Sequence, residues 1–140
     1  MKLVLDTDVV VAAMRSPAGA SAALLEAVLD GKASAVANVA LVLEYEAVCL
    51  RAEHLRAAGI DEAQASLFLN AVATLCEPVV SHFIWRPQLR DPSDEMVLEA
   101  AVNGMADAIV TFNRRDFGET PKRFGISVLL PRQAYERILR

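Results

Sequence analysis

The chain has 140 residues, of which 54% are hydrophobic, so it can bury one core but is short for two domains, and we expect a single domain over residues 1–140. The net charge of −4 and the pI near 5.2 argue against a protein that holds nucleic acid through its overall charge. No run approaches the ~20 apolar residues of a membrane span, and the amino terminus lacks the apolar stretch of a signal peptide, which predicts a soluble cytoplasmic protein.

Short apolar runs separated by helical patterns predict a parallel sheet covered on both faces. The predicted strands are Lys2 to Leu5, Ala33 to Ala37, Val79 to Ser81, Ala108 to Thr111 and Ile126 to Leu129. The expected fold class is therefore α/β, a three-layer α/β/α sandwich around a central parallel sheet of about five strands.

Residues that commonly begin or end helices divide the segments between the strands. The predicted helices run from Ser16-Pro17 to Gly31, from Asn38 to Gly59, from Asp61 to Pro78, from Asp91-Pro92 to Asn103-Gly104, and from Pro131 through Ile138. The second of these helices carries an apolar stripe at steps of four and three, formed by Leu41, Tyr45, Val48, Ala52 and Leu55.

Two bulk features concern the cysteines and the hydropathy. Cys49 and Cys76 have no Cys or His neighbour at metal-ligand spacing, which argues against a zinc site or a disulfide framework and favours buried, reduced thiols. The mean hydropathy of +0.32 is high for a domain of this size, and it indicates that a partner or a second copy covers part of the apolar surface.

Polar residues follow two of the predicted strands. Asp6 and Asp8 follow the first strand, and Asn113 and Asp116 follow the fourth. Ligands bind outside the carboxyl ends of the strands in such sheets, so these positions carry functional weight. Aliphatic residues flank Asp6 and Asp8 on both sides, and an unpaired buried carboxylate is strongly disfavoured. The alternative is that Asp6 or Asp8 only caps the helix that follows.

Glu44 lies on the apolar stripe of its predicted helix. It comes three positions after Leu41 and four before Val48, whereas Glu46 is rotated about 200° away and should face water. A carboxylate on the core-facing side needs a cation or hydrogen-bond donors. A structural salt bridge to a buried arginine is the alternative to a functional role.

Asp91 and Asp94 have a structural interpretation as a capping box, with Pro92 at the first helical position. Asp94 also precedes Val97 and Leu98, which turns its side chain toward the buried edge where the strand ends converge. We therefore expect capping alone for Asp91, and both capping and ligand binding for Asp94.

Carboxylates that converge from separate segments repel one another, so a fold holds them close only if something compensates. Carboxylate ligands without thiolate or imidazole select hard cations such as Mg²⁺ or Mn²⁺. A bound cation would also reverse the local sign that a phosphate meets. His54 and His82 have no serine or cysteine in a triad arrangement, and both are expected to be ordinary packing or surface residues.

The whole pattern resembles the PIN domain, and most closely its bacterial branch of toxin components of toxin–antitoxin systems related to VapC. The motifs that carry the resemblance are Asp6-Thr7-Asp8 after the first strand, Glu44-Tyr45, the Arg90 to Asp94 turn, Thr111-Phe112-Asn113, and Asp116-Phe117. They occur in the family's order and span nearly the whole chain.

The resemblance implies a metal-dependent endoribonuclease that uses Mg²⁺ or Mn²⁺ and no covalent nucleophile. Asp6, Glu44, Asp94 and Asp116 match the four acidic, metal-binding and catalytic positions. The supporting residues are Thr7, Asp8, Asp91, Thr111 and Asn113. Asp8 departs from the pattern, since the family more often has a neutral polar residue there, and it is interpreted as an extra outer acid or a second cap.

The resemblance also implies an RNA substrate, a small antitoxin partner that inserts a basic residue into the active-site groove, and pairing of two subunits. The candidate cations for RNA are Arg86, Arg90, Arg114, Arg115, Lys122 and Arg123, with Arg114 and Arg115 favoured because they lie in the loop of the site. Trp85 is a candidate for stacking a single-stranded base or for packing at a subunit contact.

Two other functions compete with this one. Leu5 to Val10 also fits the first motif of a haloacid-dehalogenase-type phosphatase, with Asp6 as nucleophile and Asp8 as acid. That chemistry needs a suitably placed lysine, and none of Lys2, Lys32 and Lys122 is convincing. The other alternative is a non-catalytic binding module, either receiver-like or a PIN fold without activity.

Overall fold

The apolar runs of the sequence form a five-stranded sheet in which all strands are parallel. The computed structural model describes residues 1–80 and 87–140. The strands are β1 (Lys2–Leu5), β2 (Ser34–Ala37), β3 (Cys76–Pro78), β4 (Ala108–Val110) and β5 (Ser127–Leu129). Nearly every residue of β1, β2 and β4 is buried, because helices cover both faces of the sheet. The predicted three-layer α/β/α sandwich is confirmed.

The connections between strands are mostly helical. The α-helices in the described ranges are α1 (Thr7–Arg15), α2 (Ala20–Leu29), α3 (Val39–Cys49), α4 (Ala52–Ala58), α5 (Glu62–Leu75), α6 (Pro92–Asn103) and α7 (Pro131–Leu139). Short 3-10 turns span Arg114–Phe117 and Pro121–Phe124. Asn38, Asp61 and Asp91 each accept a hydrogen bond from a backbone N–H in the first turn of the helix that they were predicted to start.

The strand order β3-β2-β1-β4-β5 puts a topological switch point between β1 and β4. The chain builds the sheet outward from β1 through β2 and β3, then returns through α6 to place β4 on the other side of β1. α6 packs against β1, β2 and β4. A crevice opens at such a switch point, outside the carboxyl ends of the two central strands. Here these ends are Leu5 and Val110.

Four predicted elements were wrong in their bounds. The helix predicted from Asp61 to Pro78 ends at Leu75, because Cys76–Pro78 is a strand. The second helix begins at Ala20 rather than Pro17, because α1 occupies Thr7–Arg15 and Ser16 ends it. The predicted helix from Asn38 to Gly59 is two helices, α3 and α4, and α4 packs against α1 after the break. The third strand is Cys76–Pro78, an edge strand, where a proline is tolerated. Of the predicted strand from Val79, Ser81 lies outside the described residues.

The core is one continuous cluster that includes the central strands and the inner faces of the helices. Cys49 is buried within it and Cys76 is partly buried, and both are free thiols. Burial raises the pKa of each thiol to about 11. Within residues 1–80 and 87–140, none of the helices combines the length and the apolar character needed to cross a membrane.

Candidate active site

Asp6 stands at the carboxyl end of β1, where the chain turns into α1. Its Oδ1 accepts a hydrogen bond from Thr7 N at 2.8 Å, so Asp6 is the N-cap of α1. Its Oδ2 accepts from the hydroxyl of Thr111 at 2.8 Å, and its own N–H donates to Val110 O. The side chain is buried, with 9% of the residue exposed. Asp6 therefore caps α1, but capping is not its only contact, because the same carboxylate also joins β1 to the segment after β4.

Asp8 lies two residues after Asp6, within the first turn of α1, and its Oδ2 binds the segment after β4 instead of capping the helix. That oxygen accepts hydrogen bonds from Phe112 N at 3.0 Å and from Asn113 Nδ2 at 3.1 Å. It also lies 3.4 Å from the Thr111 hydroxyl, which in turn accepts from Asn113 N. Asp8 Oδ1 is buried, and no group in residues 1–80 and 87–140 forms a hydrogen bond with it. Asp8 thus fixes the loop after β4 and keeps one oxygen unused.

Glu44 lies on α3 and faces the same region. Its Oε2 is buried and has no hydrogen-bond partner among the described residues, whereas Glu46 is exposed as predicted. In the described part of the chain, no arginine forms an ion pair with Glu44, so the structural salt bridge is not found there. A buried oxygen without a partner costs free energy, which makes Glu44 a position where a bound ligand would be stabilised.

Tyr45, the neighbour of Glu44, was missed as a site residue. It is fully buried, and its hydroxyl donates to the carbonyl of Leu5, the residue before Asp6. A buried tyrosine hydroxyl needs a hydrogen-bond acceptor. The position of Tyr45 on the apolar stripe of α3 therefore indicated that its hydroxyl has a partner in the core. The contact holds the end of β1 in place beside α3.

Asp91 and Asp94 open α6. Asp91 is exposed and accepts from Ser93 N at 2.8 Å, so its predicted capping role is confirmed. The capping box is not formed, because Asp94 does not accept from the backbone of Asp91. The pKa of Asp94 is raised to about 6, first by burial and then by the charges of Asp91, Asp116, Glu44 and Asp8. Asp94 lines the same pocket as Asp91 and Asp116, so these three acids are neighbours.

The electrostatics show that carboxylates from four segments lie near one another. The pKa of Asp6 is raised to about 7, mainly by burial and then by Asp8, against the hydrogen bonds from Thr111 and Thr7 that lower it. The pKa of Asp8 is also raised by burial, with a further contribution from the charge of Asp116. Asp116 itself is exposed, in the 3-10 turn after β4. The acids thus converge on the crevice at the switch point.

Three cavities surround this cluster. A groove of about 640 Å³ is lined by Asp8, Glu44 and Asp91 together with Arg15, His54 and Phe112. A pocket of about 440 Å³ contains Asp94 and Asp116 beside Arg90 and Arg115. A larger cavity of about 930 Å³ lies along β5 and includes Asn113, Arg114, Arg115, Lys122 and Arg137. Arg123 is exposed and lines none of these three.

The donor chemistry of the cluster fits a hard divalent cation. In residues 1–80 and 87–140, no three His, Cys, Asp or Glu side chains are already arranged as a group that could hold a metal. The two unused oxygens, Asp8 Oδ1 and Glu44 Oε2, are nevertheless buried carboxylate oxygens, and Asp94 and Asp116 add carboxylates from other segments. Ligands of this type select Mg²⁺ or Mn²⁺ over softer metals.

Glu95 is a second residue that the sequence reasoning missed. It is buried and accepts hydrogen bonds from Gln88 N at 3.1 Å and from Leu89 N at 2.8 Å. It therefore anchors the segment that leads into Asp91 and Asp94. The signal was the position of Glu95 three residues before Leu98, which places it on the buried face of α6.

Of the remaining predicted residues, His54 and Thr7 lie within the described ranges and three others do not. His54 is mostly buried on α4, where its Nδ1 lies 3.4 Å from Arg15 Nη1. The residues His82, Trp85 and Arg86 lie outside the described residues. Thr7 is buried at the start of α1, and within the two described ranges its hydroxyl has no hydrogen-bond partner.

The comparison with protein families gives one result. The family model described as PIN domain matches residues 2–115, which is most of the chain. The match includes Asp6, Glu44 and Asp94 and ends one residue before Asp116. No curated protein and no solved structure matches the chain.

Proposed function

Since the chain belongs to the PIN-domain family, whose members are generally nucleases that need a divalent metal, we propose that it is a Mg²⁺- or Mn²⁺-dependent endoribonuclease. The observation that carries the proposal is the convergence of acids from four segments at the switch point, where two buried carboxylate oxygens have no hydrogen-bond partner in the described part of the chain. Such a cluster is unfavourable for the fold alone. A phosphodiesterase with a cation between the acids explains it.

The side chains have distinct tasks in this proposal. Asp6, Glu44, Asp94 and Asp116 hold the cation, and the unused oxygen of Asp8 adds a fifth acid to the predicted set. Thr111 orients Asp6, while Asn113 and the backbone N–H of Phe112 orient Asp8. Hydrogen bonds of this kind fix ligand geometry around a metal. When bound, the cation would lower the pKa of a coordinated water and offset the charge on the leaving oxygen.

RNA is the proposed substrate, and cations near the acids would hold its phosphates. Arg90 and Arg115 line the pocket that contains Asp94 and Asp116, and Arg114 lines the adjoining cavity along β5. Arginine suits phosphate because its fork of N–H donors matches the phosphate oxygens. Basic groups placed locally in this way compensate for the net charge of −4.

We extend the proposal to a toxin of a type II toxin–antitoxin pair, acting in the cytoplasm as a homodimer. Exposed apolar side chains on α3 and α5 support a covered surface, namely Val39, Leu43 and Leu67. A basic residue of a small antitoxin would be attracted to the unpaired carboxylates. Arrest of growth on expression, relieved by the product of a short adjoining reading frame, would support this role. Normal growth would contradict it.

The phosphatase alternative is less favoured by the geometry. Its nucleophile would be Asp6, which is 9% exposed and has a hydrogen bond on each oxygen. Lys2 is the first residue of β1, and Lys32 precedes β2. Both lysines therefore lie away from the carboxyl ends of the strands, where the acids meet. A non-catalytic binding module would have the same fold, so only an activity measurement distinguishes it from a nuclease.

The deciding experiment is a cleavage assay on a panel of structured RNAs with titrated Mn²⁺ or Mg²⁺. We expect cleavage that chelation abolishes and that Glu44→Gln and Asp94→Asn each lose. Asp107→Asn is the matched control, because Asp107 lies at the opposite end of β4 and accepts from Lys2 N. Calorimetry with Mn²⁺ should show binding that Asp6→Asn removes. Equal activity in all variants, or no binding of Mn²⁺, would overturn the proposal.

A further inference from the structure

The outer edge of β5 presents backbone groups that face away from the sheet. β5 ends the order β3-β2-β1-β4-β5, and within the described residues no strand lies beyond it. On its inner side, Ser127 N donates to Asp107 O at 3.1 Å, and Leu129 O accepts from Thr111 N at 2.9 Å. Successive residues of a strand direct their backbone groups to alternate sides, so the N–H and C=O of Val128 face the outer edge.

The opposite edge strand, β3, has residues that protect an edge. Pro78 has no N–H to donate, Glu77 carries a charge, and both are exposed. Proteins use proline and charge in this way to prevent another strand from adding to a sheet. β5 consists of Ser127, Val128 and Leu129 and has neither proline nor charge. An extended peptide can therefore add to the edge at β5, which is a known mode of peptide recognition.

The cavity of about 930 Å³ runs along this edge. Residues 125–130 all line it, together with residues of the segment after β4 and Arg137 of α7. Its volume lies near the upper end of the range of about 300–1,000 Å³ that is typical of ligand sites. The cavity therefore follows the whole of β5 and leaves space beside Val128.

Basic side chains give this cavity a positive charge. They are Arg114, Arg115, Lys122 and Arg137. Lys122 Nζ lies 3.1 Å from Glu119 Oε2, and Asp116 is the other acid of the lining. The three arginines form no salt bridge within residues 1–80 and 87–140. In a chain with a net charge of −4, this local excess of cations attracts an acidic partner. It also argues against a second copy of this chain, because two copies paired through β5 would bring their arginines together.

We propose that the β5 edge binds an acidic, extended segment of a partner protein, which adds a strand to the five-stranded sheet. The backbone of the segment exchanges hydrogen bonds with Val128, and its acidic side chains lie against the three arginines. Backbone pairing supplies affinity for an extended peptide, and the arginines select an acidic one. A nucleic-acid strand also suits arginines, but it cannot form the alternating backbone hydrogen bonds of a sheet edge. This interaction goes beyond the proposed function, because it needs neither a metal nor nuclease activity.

The test uses synthetic peptides of about eight residues, which is within the length of ordinary strands. The main probe is a labelled peptide of alternating valine and glutamate, and its binding is measured by fluorescence anisotropy without divalent cations. One control peptide has methyl groups on its backbone amides, so it keeps the side chains and cannot pair as a strand. The other control has lysine in place of glutamate.

Two variants of the protein change the edge and the charge separately. Val128→Pro removes only the outward N–H, since the bonds from β5 to β4 belong to Ser127 and Leu129. Arg137→Gln removes one cation of the cavity. Arg132→Gln is its matched control, because Arg132 is also exposed on α7 but does not line the cavity. Hydrogen exchange of the Val128 amide in the wild type measures the edge without any substitution, so the test does not depend on the folding of Val128→Pro.

The expected changes follow from the loss of single hydrogen bonds and charges. Val128→Pro and Arg137→Gln should each weaken binding of the main probe by at least about fivefold, while Arg132→Gln stays within about twofold. Both control peptides should bind at least about tenfold more weakly than the main probe. The Val128 amide should exchange at least about tenfold more slowly when the probe is bound. Equal binding of the methylated peptide, or unchanged exchange at Val128, would overturn the inference.

Two further measurements separate this inference from nucleic-acid binding and from the proposed function. If a labelled RNA strand binds in a manner that depends on Arg137 and the main probe does not bind, the cavity takes nucleic acid and the inference is wrong. Glu44→Gln, which should abolish cleavage, should bind the main probe as the wild type does. A protein that cleaves no RNA but binds the probe through Val128 would contradict the proposed function and support the inference.

Discussion

Acidic residues at the two ends of the β1–β4 strand pair differ in whether their carboxylate oxygens have hydrogen-bond partners. At the amino end, Asp107 is exposed, its Oδ2 accepts from Lys2 N at 2.7 Å, and its backbone joins β1 to β5. At the carboxyl end, several acids converge, and buried oxygens of Asp8 and Glu44 accept no hydrogen bond from the residues that the structure describes. An acid that only builds the fold is satisfied by the fold. The difference supports the proposal that the carboxyl end is the functional end of the sheet.

A pair of variants with the same charge change breaks this comparison directly. Asp8→Asn should reduce metal-dependent cleavage by at least about 100-fold, because even outer contacts to a metal site contribute 10–100-fold. Asp107→Asn removes the same charge at the other end and should leave cleavage within about twofold. Cleavage rates of both variants at saturating Mn²⁺ decide the matter. Similar losses in both would show that the two ends are not functionally distinct.

The next prediction compares two glutamates on core-facing helix positions. Glu95 accepts hydrogen bonds from two backbone N–H groups, whereas Glu44 Oε2 accepts none. Glu95→Gln should therefore lower the free energy of unfolding by about 1.5–3 kcal/mol, the value of hydrogen bonds to a charged group. Glu44→Gln should leave stability nearly unchanged and abolish cleavage. Denaturant titration beside the cleavage assay measures both, and a destabilised Glu44→Gln would indicate a structural role.

The pH dependence of stability sharpens the same contrast. The pKa of Asp6 is raised to about 7 from an ordinary value of 3.8, so the folded state favours its protonated form. The stability contribution is complete below pH 4 and is lost as the pH rises through about 7. The metal-free protein should thus be about 2 kcal/mol more stable at pH 5 than at pH 8 on account of Asp6.

Asp6→Asn is the control for this prediction, because it removes the titrating group. Its unfolding free energy should change less between pH 5 and pH 8 than that of the wild type. Mn²⁺ added at pH 8 should stabilise the wild type, since a cation favours the ionised acids. The same pH slope in Asp6→Asn and wild type would assign the effect to other groups.

The sequence alone predicted the sheet and the acidic residues, but it did not predict the groups that donate hydrogen bonds to those acids. β1 has the predicted bounds, because its four residues are continuously apolar or amphipathic and lie in the centre of the sheet. β3 was misplaced since Glu77 and Pro78 do not resemble a strand, and an edge position accepts them. Nothing between Cys49 and Ala52 signals the break of the predicted long helix, which follows from the packing of α4 on α1.

The acids were found because each follows a strand or lies on a buried helix face, which are properties of the local sequence. Tyr45 was not found because its acceptor is a backbone carbonyl 40 residues away. Glu95 was missed for a similar reason, since its donors are backbone groups of the preceding segment. Contacts of this kind depend on the three-dimensional arrangement of the elements and leave no periodic pattern.

The smallest expected effect concerns Tyr45, whose hydroxyl binds the carboxyl end of β1 but is not one of the proposed metal ligands. Tyr45→Phe leaves the buried carbonyl of Leu5 without its donor, which should cost about 1–3 kcal/mol of stability. Asp6 follows Leu5, so the loss should also weaken Mn²⁺ binding by about tenfold, as for outer contacts of metal sites. Tyr135→Phe on α7 is the matched control and should change neither quantity. A lower free energy of unfolding with unchanged Mn²⁺ affinity would show that Tyr45 stabilises the core and does not position the carboxylates.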